Sequence, residues 1–341
     1  MRACSRGALC RLLVGLALAC GIAPAAAQDV PRLRLSTENG PTHVQTRIVQ
    51  RFVDRLKHEA AGRLIVDYQH GARLFRDADA VRALRTGQIE MAVPGTWQVD
   101  RIEPSLAVFM LPQFYGLGTA ANYRVRDGAL GRVINRRLAD RLRLQVLGRW
   151  IDLGFSHVYT VGPIVQSPEH LAGLRIRLPG GEANVWRLRQ FGAQPLVVPW
   201  PDVPNALGTR AIDGLVSTHE SVETGDLMRY GVRHAYEDNA YFAQYLPLVA
   251  GAFWARLDPA LQTLMTDAWE AMVDEARALA ATEQEAARGR LIAAGFRVFT
   301  PSPGLLAETR RRLLARQGEL VAQLGIDPAL VAMAAEMTAG P

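Results

Sequence analysis

Short apolar runs alternate with amphipathic stretches along the first 150 residues. Val44, Ile48, Phe52 and Leu56 recur at helical spacing, which predicts an amphipathic helix over 42–58. The neighbouring apolar runs predict strands, and the order strand, helix, strand, helix, strand indicates a parallel sheet with helices on both faces. The predicted elements of this part are strands at 33–36, 64–68, 89–93 and 144–150 and helices at 42–58, 78–86 and 119–142.

The remainder of the chain predicts another set of short strands and then one long helix. Asp258 and Pro259 are typical of a helix N-cap and first position, and no proline follows before about residue 294. Such a helix extends about 55 Å, so it has to lie along two domains rather than one. The predicted strands are 158–161, 174–178, 195–198, 212–216, 232–236, 246–250 and 296–300, and the closing helices are 303–324 and 328–337.

Together these elements predict an α/β protein of two lobes, with the long helix spanning both. We expect lobe I to comprise 28–153 and 241–282, and lobe II to comprise 154–240 and 283–341, while the helix over 258–294 crosses both. The segments 153–155 and 240–245 are the predicted hinges between the lobes. A chain of 341 residues is long enough for two domains with substantial cores.

Residues 1–27 have the features of a secretory signal peptide. They contain the basic residues Arg2, Arg6 and Arg11, an apolar run over 12–20, and a small-residue cleavage site ending at Ala27. The apolar run is too short to span a membrane. We therefore expect cleavage near Ala27 and an exported protein. A lipoprotein anchored at Cys20 is the alternative, although the usual leucine three residues before the cysteine is missing.

Charge and cysteine content exclude several classes of function. The net charge of +6 falls to +3 once the three signal arginines are removed, and the other arginines are spread along the chain. Nucleic-acid binding requires a clustered basic surface, so we expect no nucleic-acid partner. All three cysteines lie within residues 1–27. The mature chain is therefore expected to have no disulfide, no thiol nucleophile and no cysteine ligand for a metal.

Polar or aromatic side chains follow three predicted strands of lobe II. Arg177 lies near the end of the first, Trp200 just beyond the second, and Ser217 and Thr218 just beyond the third. Ligands of open α/β sheets bind in the crevice beyond the carboxyl ends of the strands. We therefore expect these four side chains to meet over one cleft.

Arg177 is the principal candidate for ligand binding. The loop containing Gly180 leads from its strand into a helix, whose N-terminal N–H groups favour an anion. A guanidinium adds a planar fork that matches a carboxylate. The alternative is an arginine that pairs with a nearby Asp or Glu, and the strand pattern alone does not decide between the two.

Several stretches resemble the periplasmic substrate-binding proteins of TRAP (tripartite ATP-independent periplasmic) transporters of the DctP type. The matching segments are LAGLRIRLP, FGAQPLVVPWPDVPNAL and RAIDGLVS, together with LRLSTENGPTH, ARLFRDADAVRALRTGQIEMAV and FMLPQFY. The resemblance covers almost all of the chain beyond residue 27. It implies a two-lobed periplasmic binding protein that captures a small organic acid by lobe closure.

The resemblance also implies roles for individual residues. Arg177 matches the arginine that clamps the substrate carboxylate, and Trp200 matches an aromatic that contacts ligand. Ser217 stands where many members have Asn, with Thr218 and His219 beside it, and Ser156 stands where many have a second arginine. The loss of that arginine suggests a monocarboxylate rather than a dicarboxylate. Asn39 and Trp97 match ligand-lining positions of lobe I, and Arg76 or Asp77 is placed to reach the same pocket.

Structural roles remain the alternatives at these positions: Trp97 and Trp200 as core residues, Asn39 as a turn residue, and His43 as a first-turn residue of its helix. The implied partner is a membrane permease made of a small and a large integral subunit.

Two rival functions remain: a binding protein that feeds a sensor kinase, and an exported enzyme. The seven histidines show no metal-binding spacing and no GxSxG motif occurs, so we expect no enzyme activity, no metal and no cofactor. His219 and Glu220 are the only pair worth testing for catalysis, and we expect them to be hydrogen-bonded at the solvent surface.

Overall fold

A computed structural model describes residues 29–339, so the predicted signal peptide, its cleavage site and Cys20 lie outside the described residues. The strands are β1 (Arg32–Ser36), β2 (Ile65–Gln69), β3 (Met91–Ala92), β4 (Leu144–Val146), β5 (Ile151–Thr160), β6 (Arg175–Leu178), β7 (Gln194–Val197), β8 (Gly214–Ser217), β9 (His234–Tyr245), β10 (Leu248–Ala250) and β11 (Arg297–Phe299). The α-helices are α1 (Val44–Ala60), α2 (Asp77–Arg85), α3 (Thr96–Val99), α4 (Thr119–Arg126), α5 (Ala129–Leu142), α6 (Glu182–Gln190), α7 (Val203–Gly208), α8 (His219–Thr224), α9 (Gly251–Trp254), α10 (Pro259–Ala293), α11 (Pro303–Leu314), α12 (Gln317–Leu324) and α13 (Pro328–Ala339). Short 3₁₀ helices occupy Pro104–Met110, Pro112–Phe114, Pro168–Leu171, Trp200–Asp202 and Leu227–Tyr230.

A five-stranded sheet forms the centre of lobe I, in the order β2-β1-β3-β10-β4. The pairs β1–β2 and β1–β3 are parallel, as the alternation of strands and helices predicts. The returning strand β10 is antiparallel to both β3 and β4. The apolar side of α1, with Ile48, Phe52 and Leu56, is fully buried.

A six-stranded sheet forms the centre of lobe II, in the order β11-β9-β5-β8-β6-β7. Its strands β8, β6 and β7 are parallel neighbours, so their carboxyl ends lie along one edge of the sheet. This is the arrangement expected from the three strand ends that carry Arg177, Trp200 and Ser217. The fold class predicted from the sequence, α/β with two lobes and a long helix, is confirmed.

Two long antiparallel strands, β5 and β9, pair along most of their length. The predictions at 158–161 and 232–236 cover only part of each, and the strand predicted over 144–150 ends at Val146. The segment missed in β9 contains the buried polar residues Glu237 and Asp238, and β5 has a register shift at Gly154, where φ is +130°. Buried polar residues and an irregular register remove the apolar periodicity on which strand prediction depends.

The long helix α10 has 35 residues, or about 52 Å at 1.5 Å per residue. The Asp258 side chain caps it by accepting a hydrogen bond from the Leu261 N–H at 3.0 Å. The helix packs on α1 of lobe I and on α8 and β5 of lobe II, so it braces both lobes. The sequence prediction of this helix is confirmed, whereas the predicted limits of the two lobes stay a prediction.

Between residues 29 and 339 the structure contains no helix with the length and apolar character needed to cross a membrane.

A cavity between the lobes as the candidate functional site

The two lobes meet over a small cavity of about 40 Å³. One water molecule needs about 10–15 Å³, so the cavity accommodates a molecule of a few heavy atoms. Lobe I contributes Glu38, Asn39, His43, Asp77 and Trp97 to its wall, and lobe II contributes Ser156, Arg177, Trp200, Ser217, Thr218 and Ser221. Eight of the ten predicted site residues therefore line one cavity; Gly180 and His219 do not.

Arg177 is held in place by the backbone of its own lobe. Its Nε donates to the Val198 carbonyl at 2.8 Å and its Nη1 to the Val216 carbonyl at 3.5 Å, and the Trp200 ring lies 5.6 Å from the guanidinium carbon. The side chain is only 2% exposed, and its Nη2 has no hydrogen-bond partner among the described residues. Burial lowers the pKa of Arg177 to about 10, so the guanidinium remains charged at neutral pH.

The neighbouring Arg175 differs from Arg177 in its partners. Asp213 pairs with the Arg175 guanidinium at 2.6 Å, at the partly exposed start of β6. Arg177 forms no ion pair with any residue in 29–339. Arg175 is therefore the arginine that pairs with a nearby acid. Arg177 keeps a free N–H group beside the cavity.

Hydroxyl groups complete the wall on lobe II. Ser156 and Ser217 are buried at the cavity on β5 and β8. Thr218 is the N-cap of α8, where its Oγ1 accepts from the Ser221 N–H at 3.3 Å and from Gln284 Nε2 at 3.1 Å. The Thr218 hydroxyl therefore already accepts hydrogen bonds within the protein. Ser156 lies where the family resemblance implies a second arginine.

The wall on lobe I contains two buried carboxyl groups, Glu38 and Asp77. Glu38 follows β1 and its Oε1 has no hydrogen-bond partner among the described residues, while Asp77 Oδ2 accepts from the Gly95 N–H at 3.3 Å. Burial raises the pKa of Glu38, with Arg177 acting in the opposite direction. Burial and the nearby charge of Glu38 raise the pKa of Asp77 well above its usual range. The cavity is therefore cationic on one wall and acidic on the other.

Asn39 and Trp97 lie on the same wall as the acids, and both have partners within the protein. Asn39 Nδ2 donates to Gln45 Oε1 and to the Tyr245 hydroxyl, the latter at 3.0 Å. The Trp97 ring packs edge-on against Tyr245 and Tyr241, with centroids 5.5 Å and 6.3 Å apart. The two tyrosines come from β9 and were missed, because no strand was predicted over 237–245; their four-residue spacing places them on one face of that strand.

His219 is not brought to the cavity, in contrast to the expectation from sequence. In its ring, Nδ1 is 3.0 Å from the Tyr159 hydroxyl and Nε2 is 3.0 Å from Glu237 Oε1. It lines a separate cavity of about 380 Å³ at the hinge strands. His219 is the first residue of α8, and these contacts hold its side chain away from the cavity, whereas Ser221 of the same helix lines it. His219 and Glu220 are both buried, so the expected solvent-facing position is wrong.

Gly180 does not line the cavity, but it allows the two lobes to approach each other closely. Its φ is +148°, and a Cβ placed there would lie 2.7 Å from the Trp97 carbonyl oxygen of lobe I. Beside it, Gln98 Nε2 donates to the Pro179 carbonyl at 2.9 Å, and the Glu182 N–H donates to Asp100 Oδ2 at 2.9 Å. The loop after β6 is thus seated directly against α3.

A second set of contacts joins the lobes at the opposite end of the cavity. Glu220 Oε1 accepts from the Val44 N–H at 2.6 Å, at the N-terminus of α1. His43 Nδ1 accepts from the Gln45 N–H, so the proton of the neutral ring is on Nε2, which faces Ser221 Oγ at 3.0 Å. Burial, with Arg47 nearby, lowers the pKa of His43 to about 3. Sequence reasoning missed Glu220 as a contact between lobes, because nothing in its neighbourhood indicates that it crosses the cleft.

Within residues 29–339 no group of three His, Cys, Asp or Glu side chains is arranged to hold a metal ion.

Known proteins resemble this chain along most of its length. The 2,3-diketo-L-gulonate-binding periplasmic protein YiaO of Escherichia coli is 25% identical over 268 residues, which is 79% of this chain and 80% of YiaO. The C4-dicarboxylate-binding periplasmic protein DctP of Rhodobacter capsulatus is 24% identical over 277 residues, or 81% of each chain.

A solved structure shares the fold. The TRAP periplasmic solute-binding protein of Ralstonia eutropha with bound (S)-2-acetolactate superposes with a TM-score of 0.84 at 21% identity, covering 90% of this chain and 98% of the other. The family model of DctP, the bacterial extracellular solute-binding proteins of family 7, matches residues 35–316. The chain therefore belongs to this family of extracellular solute-binding proteins.

Proposed function

We propose that this protein captures a small monocarboxylate between its two lobes in the periplasm and delivers it to a TRAP permease of one small and one large integral subunit. Family membership makes the chain a solute-binding protein for organic acids rather than an enzyme. The observation that carries the finer proposal is the buried guanidinium of Arg177, which has a free N–H group and no carboxylate partner among the described residues.

Charge in the cavity favours one carboxylate on the ligand rather than two. Among residues 29–339, Arg177 is the only arginine or lysine that lines the cavity. His43 lines it as a neutral ring at pH 7, since its pKa is about 3. A second carboxylate on the ligand would face the acids Glu38 and Asp77 instead of a cation, and a buried charge without an opposite partner is strongly unfavourable. The cavity volume of about 40 Å³ favours a small acid as well.

Relatives bind ligands of several sizes and charges. The relatives above are named for binding a diketo sugar acid and C4-dicarboxylates, and the superposed structure holds acetolactate, which has a single carboxylate. The walls of this cavity best match a ligand with a single carboxylate. Ser156, where a second arginine was expected, supports the same conclusion.

Lobe closure supplies the mechanism. The carboxylate docks on Arg177 of lobe II, and lobe I then covers it with the wall that contains Trp97. The strands β5 and β9 connect the lobes and absorb the hinge motion. Exclusion of water strengthens the charge-assisted hydrogen bonds of the guanidinium. Each such bond contributes about 1.5–3 kcal/mol, a large share of the roughly 8 kcal/mol that corresponds to micromolar affinity.

The test is the substitution Arg177→Lys, with Arg175→Lys as a matched control on the same strand. A thermal-shift screen of purified protein with propionate, lactate, pyruvate and succinate first selects the acid that stabilises it most. Calorimetry with that acid should then show affinity at least about tenfold weaker for Arg177→Lys and nearly unchanged for Arg175→Lys, because lysine keeps the charge but loses the fork. Equal affinity of all three proteins would refute the clamp, and stabilisation by succinate alone would refute the monocarboxylate.

A further inference from the structure

The acidic wall of the cavity is unexpected in a receptor for anions. Glu38 is 7% exposed and Asp77 is 5% exposed, and both line the cavity from lobe I, while Arg177 lines it from lobe II. A buried carboxyl oxygen without a donor costs free energy comparable to a lost hydrogen bond. Two such groups placed together need a compensating partner.

The protein itself supplies few donors to these acids. The Gly95 N–H reaches Asp77 Oδ2 at 3.3 Å and the Asp77 N–H reaches the Glu38 carboxylate, while Glu38 Oε1 has no partner among residues 29–339. The nearest exposed cation, Arg76, is directed to Asp202 of the other lobe at 2.7 Å. Arg177 donates to the carbonyl groups of Val198 and Val216 instead.

We propose that Glu38 and Asp77 form a second subsite, which receives a hydroxyl or ammonium group of the same small acid whose carboxylate meets Arg177. This inference rests on the proposed function and narrows it to acids that carry a hydrogen-bond donor close to the carboxylate. The size of the cavity requires the two ends of the ligand to be near each other, as in 2- or 3-substituted acids of three or four carbons.

The chemistry of the pair suits either kind of donor. A carboxylate accepts hydrogen bonds from both hydroxyl and ammonium groups, and the bond from an ammonium is charge-assisted. When one acid of the pair is protonated, it also donates to a hydroxyl oxygen. An alkanoate has no such donor and would leave the buried carboxyl groups without a hydrogen bond. The free-energy cost of these unsatisfied groups should make the protein select against alkanoates.

The experiment uses matched sets of acids that differ only in this group. One set is propionate, lactate and alanine, and the other is butyrate, 3-hydroxybutyrate and 3-aminobutyrate. Calorimetry of the unmodified protein should show the substituted acid of at least one set binding at least about tenfold more tightly than its alkanoate. Preference for the hydroxy acid identifies a hydroxyl at the subsite, and preference for the amino acid identifies an ammonium.

Two substitutions then assign the preference to the pair. Glu38→Gln keeps the shape of the side chain and should reduce the preference, measured as the ratio of the two affinities, to less than about threefold. Asp77→Asn should act in the same direction. Asp79→Asn is the control, since the Asp79 side chain in the same helix turn is 45% exposed and pairs with Arg82. Melting temperatures without ligand verify that each variant is folded.

Failure of this inference is distinct from failure of the proposed function. If the acids bind and Arg177→Lys weakens them, but alkanoates bind as tightly as substituted acids, the second subsite is wrong and the clamp stands. A uniform loss for all acids in Glu38→Gln, alkanoates included, would give Glu38 a structural role and also overturn the subsite. If no monocarboxylate binds at all, the proposed function itself is wrong.

Discussion

The two walls of the cavity are built in different ways. On lobe II, Arg177 is fixed by two carbonyl groups of the same lobe, so its position does not depend on lobe I. On lobe I, His43 and Val44 acquire partners from α8 of lobe II, and Trp97 lies against Gly180. The position of Arg177 is therefore set within lobe II, whereas the contacts of His43, Val44 and Trp97 with lobe II exist only when the lobes meet.

This difference separates two kinds of effect on affinity. A change at Arg177 alters the contact with the ligand itself. A change at a contact between the lobes alters the fraction of protein that closes, and the apparent affinity falls with that fraction. Substitutions at the contacts between the lobes therefore test whether these contacts control affinity through the fraction of closed protein.

The largest effect is expected from Gly180→Ala. The new Cβ would lie 2.7 Å from the backbone oxygen of Trp97, which cannot move away as a side-chain end can, and φ at this position is +148°. Closure should lose about 2 kcal/mol or more, which is roughly a thirtyfold loss of affinity. Calorimetry measures the affinity, and small-angle scattering measures whether ligand still compacts the protein.

Gly162→Ala is the control for that substitution, because no atom lies within 4 Å of a Cβ at Gly162 and its φ is not positive. The interpretation fails if Gly180→Ala binds and compacts like the unmodified protein. It also fails if Gly162→Ala is equally impaired.

A pH dependence of binding is the next largest expected effect. Burial raises the pKa of Glu220 to about 8 and that of Asp100 to about 7, although each accepts a backbone hydrogen bond that acts in the opposite direction. Both hydrogen bonds come from the other lobe, from the Val44 and Glu182 N–H groups. When the lobes separate, water reaches these carboxyl groups and their pKa values return toward the ordinary range.

The sign follows from proton linkage. At a pH between the ordinary pKa values of the open form and the raised values of the closed form, the closed form binds more protons. Affinity should therefore fall as pH rises through about 7 to 8. We expect a loss of at least about tenfold between pH 6 and pH 9. Calorimetry across this range measures it, and the double variant Asp100→Asn, Glu220→Gln should flatten the curve. An unchanged slope in that variant would show that neither carboxyl titrates with closure.

The accuracy of the sequence predictions differs between the same two regions. The lobe II wall follows short apolar strands that end in Arg177 and Ser217, and parallel neighbours bring such ends together, so it could be predicted. The tyrosines Tyr241 and Tyr245 lie in β9, whose buried acids conceal the strand pattern. Glu220 touches α1 across the cleft, and contacts between distant segments leave no local signal in a single sequence.

The smallest effect is expected from the exposed ion pair at the rim of the cleft. Arg76 of lobe I pairs with Asp202 of lobe II at 2.7 Å, but the side chains are 43% and 44% exposed. Water and salt screen such pairs, so Arg76→Ala should weaken binding by less than about threefold, and the effect should shrink further at high salt. Asp202→Ala should match it, and the double variant should lose no more than either single one if the two residues act only on each other. A tenfold loss in Arg76→Ala, undiminished by salt, would mean that the rim rather than the buried contacts controls closure, and the distinction between the two walls would then be wrong.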